Sequence, residues 1–193
     1  MATLTPGFSG ADIANLCNEA AIMAARKEKV EVSQIDFELA NDRILSGTEK
    51  KSLMTPEERK IVAYHESGHA VVSWFVEGAS PLLKLTIVPR SKGSLGFAQY
   101  LPDDRIIHTK QDLLDKLCVM MAGRIAEETY FNRVTTGARD DLDKVSQLAN
   151  EIVRTHGMTE ALGNVSFNQT EYLKNYSELY SKKIDEQVKL LVL

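Results

Sequence analysis

The chain has 193 residues, 44% hydrophobic and 26% charged, which suits one folded domain or a small domain with an appendage. A net charge of -4 argues against nucleic acid as a partner, since phosphate binding needs a basic surface. No apolar run reaches the ~20 residues of a membrane helix, and the first residues lack the basic and apolar regions of a signal peptide. Cys17 and Cys118 are too few for a disulfide framework or a cysteine zinc site. Both stand among apolar residues at helical spacing, so buried free thiols in a reducing compartment are expected.

In chain order, Ser9-Gly10-Ala11-Asp12 predicts a helix start, with Ser9 as N-cap and Asp12 reaching back. Ile13, Leu16, Cys17 and Ala20 form its apolar stripe, and Arg26 and Lys27 suit its C-terminus. A second short helix is expected from Ser33 through Ile35, Leu39 and Ile44. Residues 45–53 are polar and contain Gly47, which predicts a linker. Thr55-Pro56-Glu57-Glu58 opens a longer helix with a capping box and a first-position proline. It should reach about Glu77, where Gly78 can end it. Residues 83–88 read as a strand stopped by Pro89, residues 91–94 as a loop, and residues 95–101 as a second strand. A helix follows Thr109, with Asp112 as capping partner, and runs to about Tyr130. Another spans about 138–155 behind Thr135-Thr136-Gly137. Gly157 and Gly163 punctuate a loop, residues 171 onward are again helical in pattern, and the chain ends inside an apolar run at Val192-Leu193. The expected fold is mostly α with one small β-sheet.

His65-Glu66-Ser67-Gly68-His69 carries the chemistry. Residues four apart lie one helical turn apart on one face, so both imidazoles can point at one ion. Zinc accepts imidazole nitrogen and, in catalytic sites, keeps a position for water; the Glu beside the first His can take that water's proton. The pentapeptide alone is only suggestive. Val62, His65, His69, Val72 and Val76 share one stripe, however, so the histidines face inward, where neutral imidazoles need polar partners. Gly68 between them permits close approach of another backbone. A zinc ion accounts for all three features.

A third protein ligand has to come from elsewhere, and His108, His156, Glu127, Glu128, Asp140, Asp141 and Asp143 are the candidates. Asp141 shares a stripe with Val145, Leu148 and Ile152, an inward face. Asp140 aligns with Lys144, Gln147 and Glu151, and Asp143 with Gln147, Asn150 and Arg154, both solvent faces. Phase therefore favours Asp141. It does not separate Glu127 from Glu128.

The pentapeptide followed by Thr136-Gly137-Ala138-Arg139-Asp140-Asp141-Leu142 resembles the FtsH-type ATP-dependent zinc proteases of the AAA class. Pro81-Leu82-Leu83-Lys84, Ile87-Val88-Pro89-Arg90 and Gly123-Arg124-Ile125-Ala126-Glu127-Glu128 are similar to other blocks of that family. Ala98-Gln99-Tyr100-Leu101-Pro102 resembles its mitochondrial m-AAA (paraplegin-like) branch. The resemblance covers nearly the whole chain. It implies zinc held by His65, His69 and Asp141, Glu66 as general base, and Glu127 as a carboxylate near the ligand histidines. Thr5-Pro6-Gly7-Phe8-Ser9-Gly10-Ala11-Asp12 looks like the entry to the last helical subdomain of an AAA module, where Gly10 and Ala11 would lie near the adenine of ATP.

On this reading residues 1–48 are the end of an AAA module and residues 49–193 a zinc metallopeptidase domain, both cut from a longer protein. Met1 would be supplied by cloning, and the C-terminus truncated. The chain has no G-x-x-x-x-G-K-[ST] phosphate loop, so ATP and Mg2+ belong only to the full-length protein. The resemblance implies a homo- or hetero-hexamer in the mitochondrial inner membrane that unfolds membrane and misfolded proteins and degrades them. Its membrane segments would be absent from this soluble piece. An extended substrate is expected to add as a strand beside residues 95–100, unless that edge is covered by its own chain. Rival readings are a non-catalytic assembly module, which would lack a ligand or the base, and a helical subdomain that regulates nucleotide binding.

Overall fold

The computed structural model describes residues 4–47, 54–89, 96–101, 105–167 and 176–193. Four of its helices start with the same chemistry. A Ser or Thr hydroxyl stands before the helix and an acid three residues later bonds back to the hydroxyl residue's own N–H. Ser9 N–H donates to Asp12 at 2.8 Å, Ser33 N–H to Asp36 at 3.0 Å, Thr55 N–H to Glu58 at 2.8 Å, and Thr109 N–H to Asp112 at 2.7 Å. These boxes open α1 (Gly10–Arg26), α2 (Gln34–Ser46), α3 (Pro56–Phe75) and α4 (Lys110–Phe131). α5 (Arg139–Asn150) and α6 (Glu178–Val192) follow, and β1 (Leu82–Thr86) and β2 (Phe97–Tyr100) lie between α3 and α4. The fold is mostly α with one small sheet. None of the described helices is long and apolar enough to cross a membrane.

The chain divides into two compact units, residues 1–66 with 80–103 and residues 67–79 with 104–193. In the first, α1 packs on α2 through Leu16, Ala20 and Ala40, with Phe8, Phe37 and Ile44 against them. β1 and β2 pair antiparallel, with Leu82 opposite Tyr100 and Lys84 opposite Gln99, so a bulge falls between Leu82 and Lys84. In the second unit, Leu113 and Leu117 of α4 meet Val145, Ala149 and Ile152, with Val188 and Leu191 of α6 packed on them. A neighbouring cluster joins Val153, Leu162, Phe167 and Ile184.

Several expectations change. Cys17 and Cys118 are exposed. The buried line of α1 is Leu16, Ala20 and Ala24, spaced by four, which turns Cys17 and the half-exposed Ile13 away from α2. On α4 the buried Leu113 and Leu117 leave Cys118 one position round the helix, toward solvent. The helix expected over 138–155 has three parts. A 3-10 turn (Thr136–Ala138) leads into α5, and a wider π-helical turn (Glu151–Thr155) ends it, closed by His156 N–H on the Glu151 carbonyl at 3.0 Å. Consecutive residues Ile152 and Val153 are fully buried there, one in each apolar cluster. β1 ends at Thr86, two residues short of expectation, and α6 begins only at Glu178, behind the Ser177 cap. The expected loop at 91–94, residues 48–53 of the expected linker and residues 171–175 of the expected last helix lie outside the described residues.

Gly68 is required by space. A Cβ on it would lie 2.5 Å from the Ala122 carbonyl oxygen and 2.7 Å from the Ala126 Cβ, so α3 and α4 touch backbone to backbone here. Relieving such overpacking costs about 1–3 kcal/mol.

Asp36 is fully buried, and Lys29 Nζ sits 2.8 and 2.9 Å from its two oxygens. Lys29, and after it Ser33, hold the Asp36 carboxyl well below the usual carboxylate range. A depressed folded value means stability that is complete above the unfolded pKa of about 4 and lost as pH falls below it. Asp36→Asn should therefore lower the thermal midpoint at pH 7, and the gap from the parent should close progressively below about pH 4. Thermal unfolding followed by circular dichroism across pH 2–7 checks this.

Candidate metal centre

The candidate centre starts from one face of α3. Val62, His65, Glu66, His69 and Ser73 are its buried residues, so both imidazoles of the His65-Glu66-Ser67-Gly68-His69 run point away from solvent, as their spacing predicts. The boundary between the two units falls between Glu66 and Ser67, inside an unbroken α3. One helical turn therefore relates His65 to His69.

His69 is oriented from α4. Its Nδ1 lies 2.7 Å from the Val119 carbonyl oxygen, which can only accept, so Nδ1 carries the proton. In the neutral ring that leaves Nε2 with a lone pair. Nε2 faces Asp141 Oδ2 at 3.5 Å, and a carboxylate oxygen is also an acceptor. Two acceptors turned toward each other need positive charge between them or on the ring. One ligand atom each from His65, His69 and Asp141 lies within 4.8 Å of the others. Two imidazoles and a carboxylate are an ordinary donor set for zinc, so the residues present fit that ion.

Asp141 owes its place to the turn before α5. Thr135 Oγ1 accepts from Gly137 N–H at 3.2 Å, and Thr135 N–H donates to Glu127 Oε2 at 2.8 Å. Glu127 is buried on α4 while Glu128 is exposed, which separates the two acids that helical phase left equal. The same helix thus orients His69 through Val119 and anchors through Glu127 the turn that launches α5. On α5, Asp141 is half-buried, with Lys144 Nζ 3.8 Å from its Oδ1, while Asp140 and Asp143 are exposed. His156 is exposed as well, and His108 lies against Lys116, whose Nζ is 3.2 Å from its Nε2. None of these belongs to the group formed with His65 and His69. Gly10 and Ala11 are exposed in the first turn of α1. The Val119 carbonyl left no signal in the sequence, because any residue would carry it.

Fold and donor set define a metallopeptidase domain. The chain belongs to peptidase family M41, whose model matches residues 52–193, and residues 1–39 match the AAA+ lid domain. It is 48% identical over 200 residues to the ATP-dependent zinc metalloprotease FtsH of Rhodothermus marinus, covering 100% of this chain and 29% of that protein. It is 50% identical over 198 residues to the mouse mitochondrial inner membrane m-AAA protease component AFG3L2, covering 100% of this chain and 25% of that protein. A rice relative, the mitochondrial ATP-dependent zinc metalloprotease FTSH 8, is 49% identical over 194 residues, covering 98% of this chain and 24% of that protein. The chain thus spans about a quarter of the length of these relatives.

Removing the Glu127 carboxylate strands the Thr135 N–H. Glu127→Ala should destabilise the chain by about 1–3 kcal/mol, and Glu127→Gln, whose amide oxygen can still accept, by clearly less. Urea unfolding of the three proteins measures the difference.

Proposed function

We propose that the chain is the proteolytic portion of an ATP-dependent, membrane-anchored AAA protease, a zinc endopeptidase that cuts misfolded or unassembled membrane proteins. The observation that carries this reading is the meeting of His69 Nε2 with the Asp141 carboxylate, in a group that includes His65. His65, His69 and Asp141 hold the zinc. When bound, zinc supplies a Lewis acid that lowers the pKa of water to about 7 and polarises a peptide carbonyl.

The protein's own groups do the rest. Glu66 directly follows His65 on the buried side of α3, where its carboxylate can take the proton of the attacking water. It later returns that proton to the leaving amine, so the peptide bond breaks without a covalent enzyme intermediate. The Val119 carbonyl keeps the His69 ring in the tautomer that presents Nε2. Glu127 holds the start of α5, and with it Asp141, in place. An extended peptide adds as a strand along β2.

Residues 1–48 form the end of an AAA module and residues 49–193 the peptidase domain. The lid match over residues 1–39 supports the first assignment, and in the whole protein Gly10 and Ala11 border the nucleotide. ATP and Mg2+ act there, with unfolded polypeptide as substrate and six subunits in a homo- or hetero-hexameric ring. The mitochondrial relatives favour the inner membrane as its location.

Two variants separate the base from the ligands. Glu66→Gln should keep stoichiometric zinc and lose about a hundredfold or more of peptide cleavage, since it removes only the proton acceptor. Asp141→Ala should lose zinc during dialysis against a chelator that leaves the parent loaded. Full cleavage by Glu66→Gln excludes Glu66 as the base, and stoichiometric zinc in Asp141→Ala excludes it as a ligand.

A further inference from the structure

Gly96, at the entry to β2, stands against the side chain of Glu66. A Cβ built on it would lie 2.2 Å from Glu66 Oε1 and 2.6 Å from its Cδ and Cγ, far inside van der Waals contact. Gly96 and Glu66 are both buried, so the carboxylate lies directly on the Gly96 backbone in a closed environment. Backbone conformation does not explain why glycine is here. Gly7, Gly47, Gly157 and Gly163 have positive φ, but Gly96 does not, so a side-chain-bearing residue could adopt its backbone. Only space stands against one, and that space is occupied by the Glu66 side chain.

The contrast with Gly68 fixes what a side chain at each position would do. At Gly68 the obstacle is helix backbone and a short Cβ, which cannot move without parting α3 from α4. At Gly96 the obstacle is the Glu66 side chain from Cγ outward, all of which moves with rotation about χ1. The first change attacks the fold, and the second leaves the fold but moves the carboxylate.

We propose that Gly96 is a positioning residue for the general base: the bare backbone at the entry to β2 is the wall against which the Glu66 carboxylate is set. The assignment rests on the reading of Glu66 as proton acceptor. A proton acceptor must lie within hydrogen-bond reach of the water it activates, and a displacement of 1 Å costs about a hundredfold in rate. Gly96 therefore acts on the reaction through Glu66.

The test is a double-mutant cycle on the zinc-loaded chain, with an unstructured fluorogenic peptide as substrate. Gly96→Ala should lower kcat by about a hundredfold. KM should stay within about twofold, and zinc content and the unfolding midpoint should match the parent. Glu66→Ala removes every side-chain atom beyond Cβ, and with them all the atoms that a side chain on Gly96 would meet. Adding Gly96→Ala to Glu66→Ala should then change the residual kcat by less than about threefold, because the atoms in conflict are gone. If Gly96→Ala keeps the parent kcat, or lowers it equally in both backgrounds, the positioning role is wrong. A loss of zinc or of stability in Gly96→Ala that accounts for the lower rate also overturns it. Glu66→Gln distinguishes the underlying reading: full cleavage there removes Glu66 as base, whereas its loss beside an unaffected Gly96→Ala removes only the role of Gly96.

Discussion

The site depends on one hydrogen bond, between His69 Nδ1 and the Val119 carbonyl at 2.7 Å. A carbonyl cannot donate, so the bond decides which nitrogen holds the proton and leaves the Nε2 lone pair pointing at Asp141. Two acceptors facing each other are unfavourable without positive charge, and the pair becomes favourable around a cation. The same bond holds the ring plane, so an ion meeting it finds a ligand already oriented.

Helix α4 makes this possible because Gly68 lets it come close. With a side chain at Gly68, the Ala122 carbonyl could not lie where it does, and α4 would stand further from α3. Val119 is one turn from Ala122 on that helix, and its carbonyl reaches His69 because the two backbones touch. Further along α4, the buried Glu127 holds the Thr135 N–H and hence the entry to α5. A single helix thus supports two of the three proposed ligands, one through its backbone and one through a carboxylate. Exposed Glu128 takes no part in this.

Much of this was legible in the sequence, because local rules and tertiary packing agree. The capping boxes at Ser9, Ser33, Thr55 and Thr109 each open a helix at the position their spacing implies. The phase of α5 singled out Asp141 over Asp140 and Asp143, since an amphipathic helix has one inward face. What stayed hidden depends on partners that a single helix does not encode. Cys17 lies beside an apolar stripe yet is exposed, because α2 packs on the line of Leu16 and Ala20. The choice between Glu127 and Glu128, the π-helical turn and the Val119 carbonyl were invisible for the same reason. Gly96 read as part of a strand, and its meaning comes from the Glu66 side chain beside it.

The central claim is that His65, His69 and Asp141 form one zinc site. The most direct measurement is anomalous diffraction at the zinc edge from crystals of the chain grown with zinc. The account predicts one strong peak bonded to a ring nitrogen of His65, Nε2 of His69 and a carboxylate oxygen of Asp141, at about 2.0–2.2 Å from each. A peak held by the two histidines with another protein oxygen in place of Asp141, or no peak between them, would contradict it.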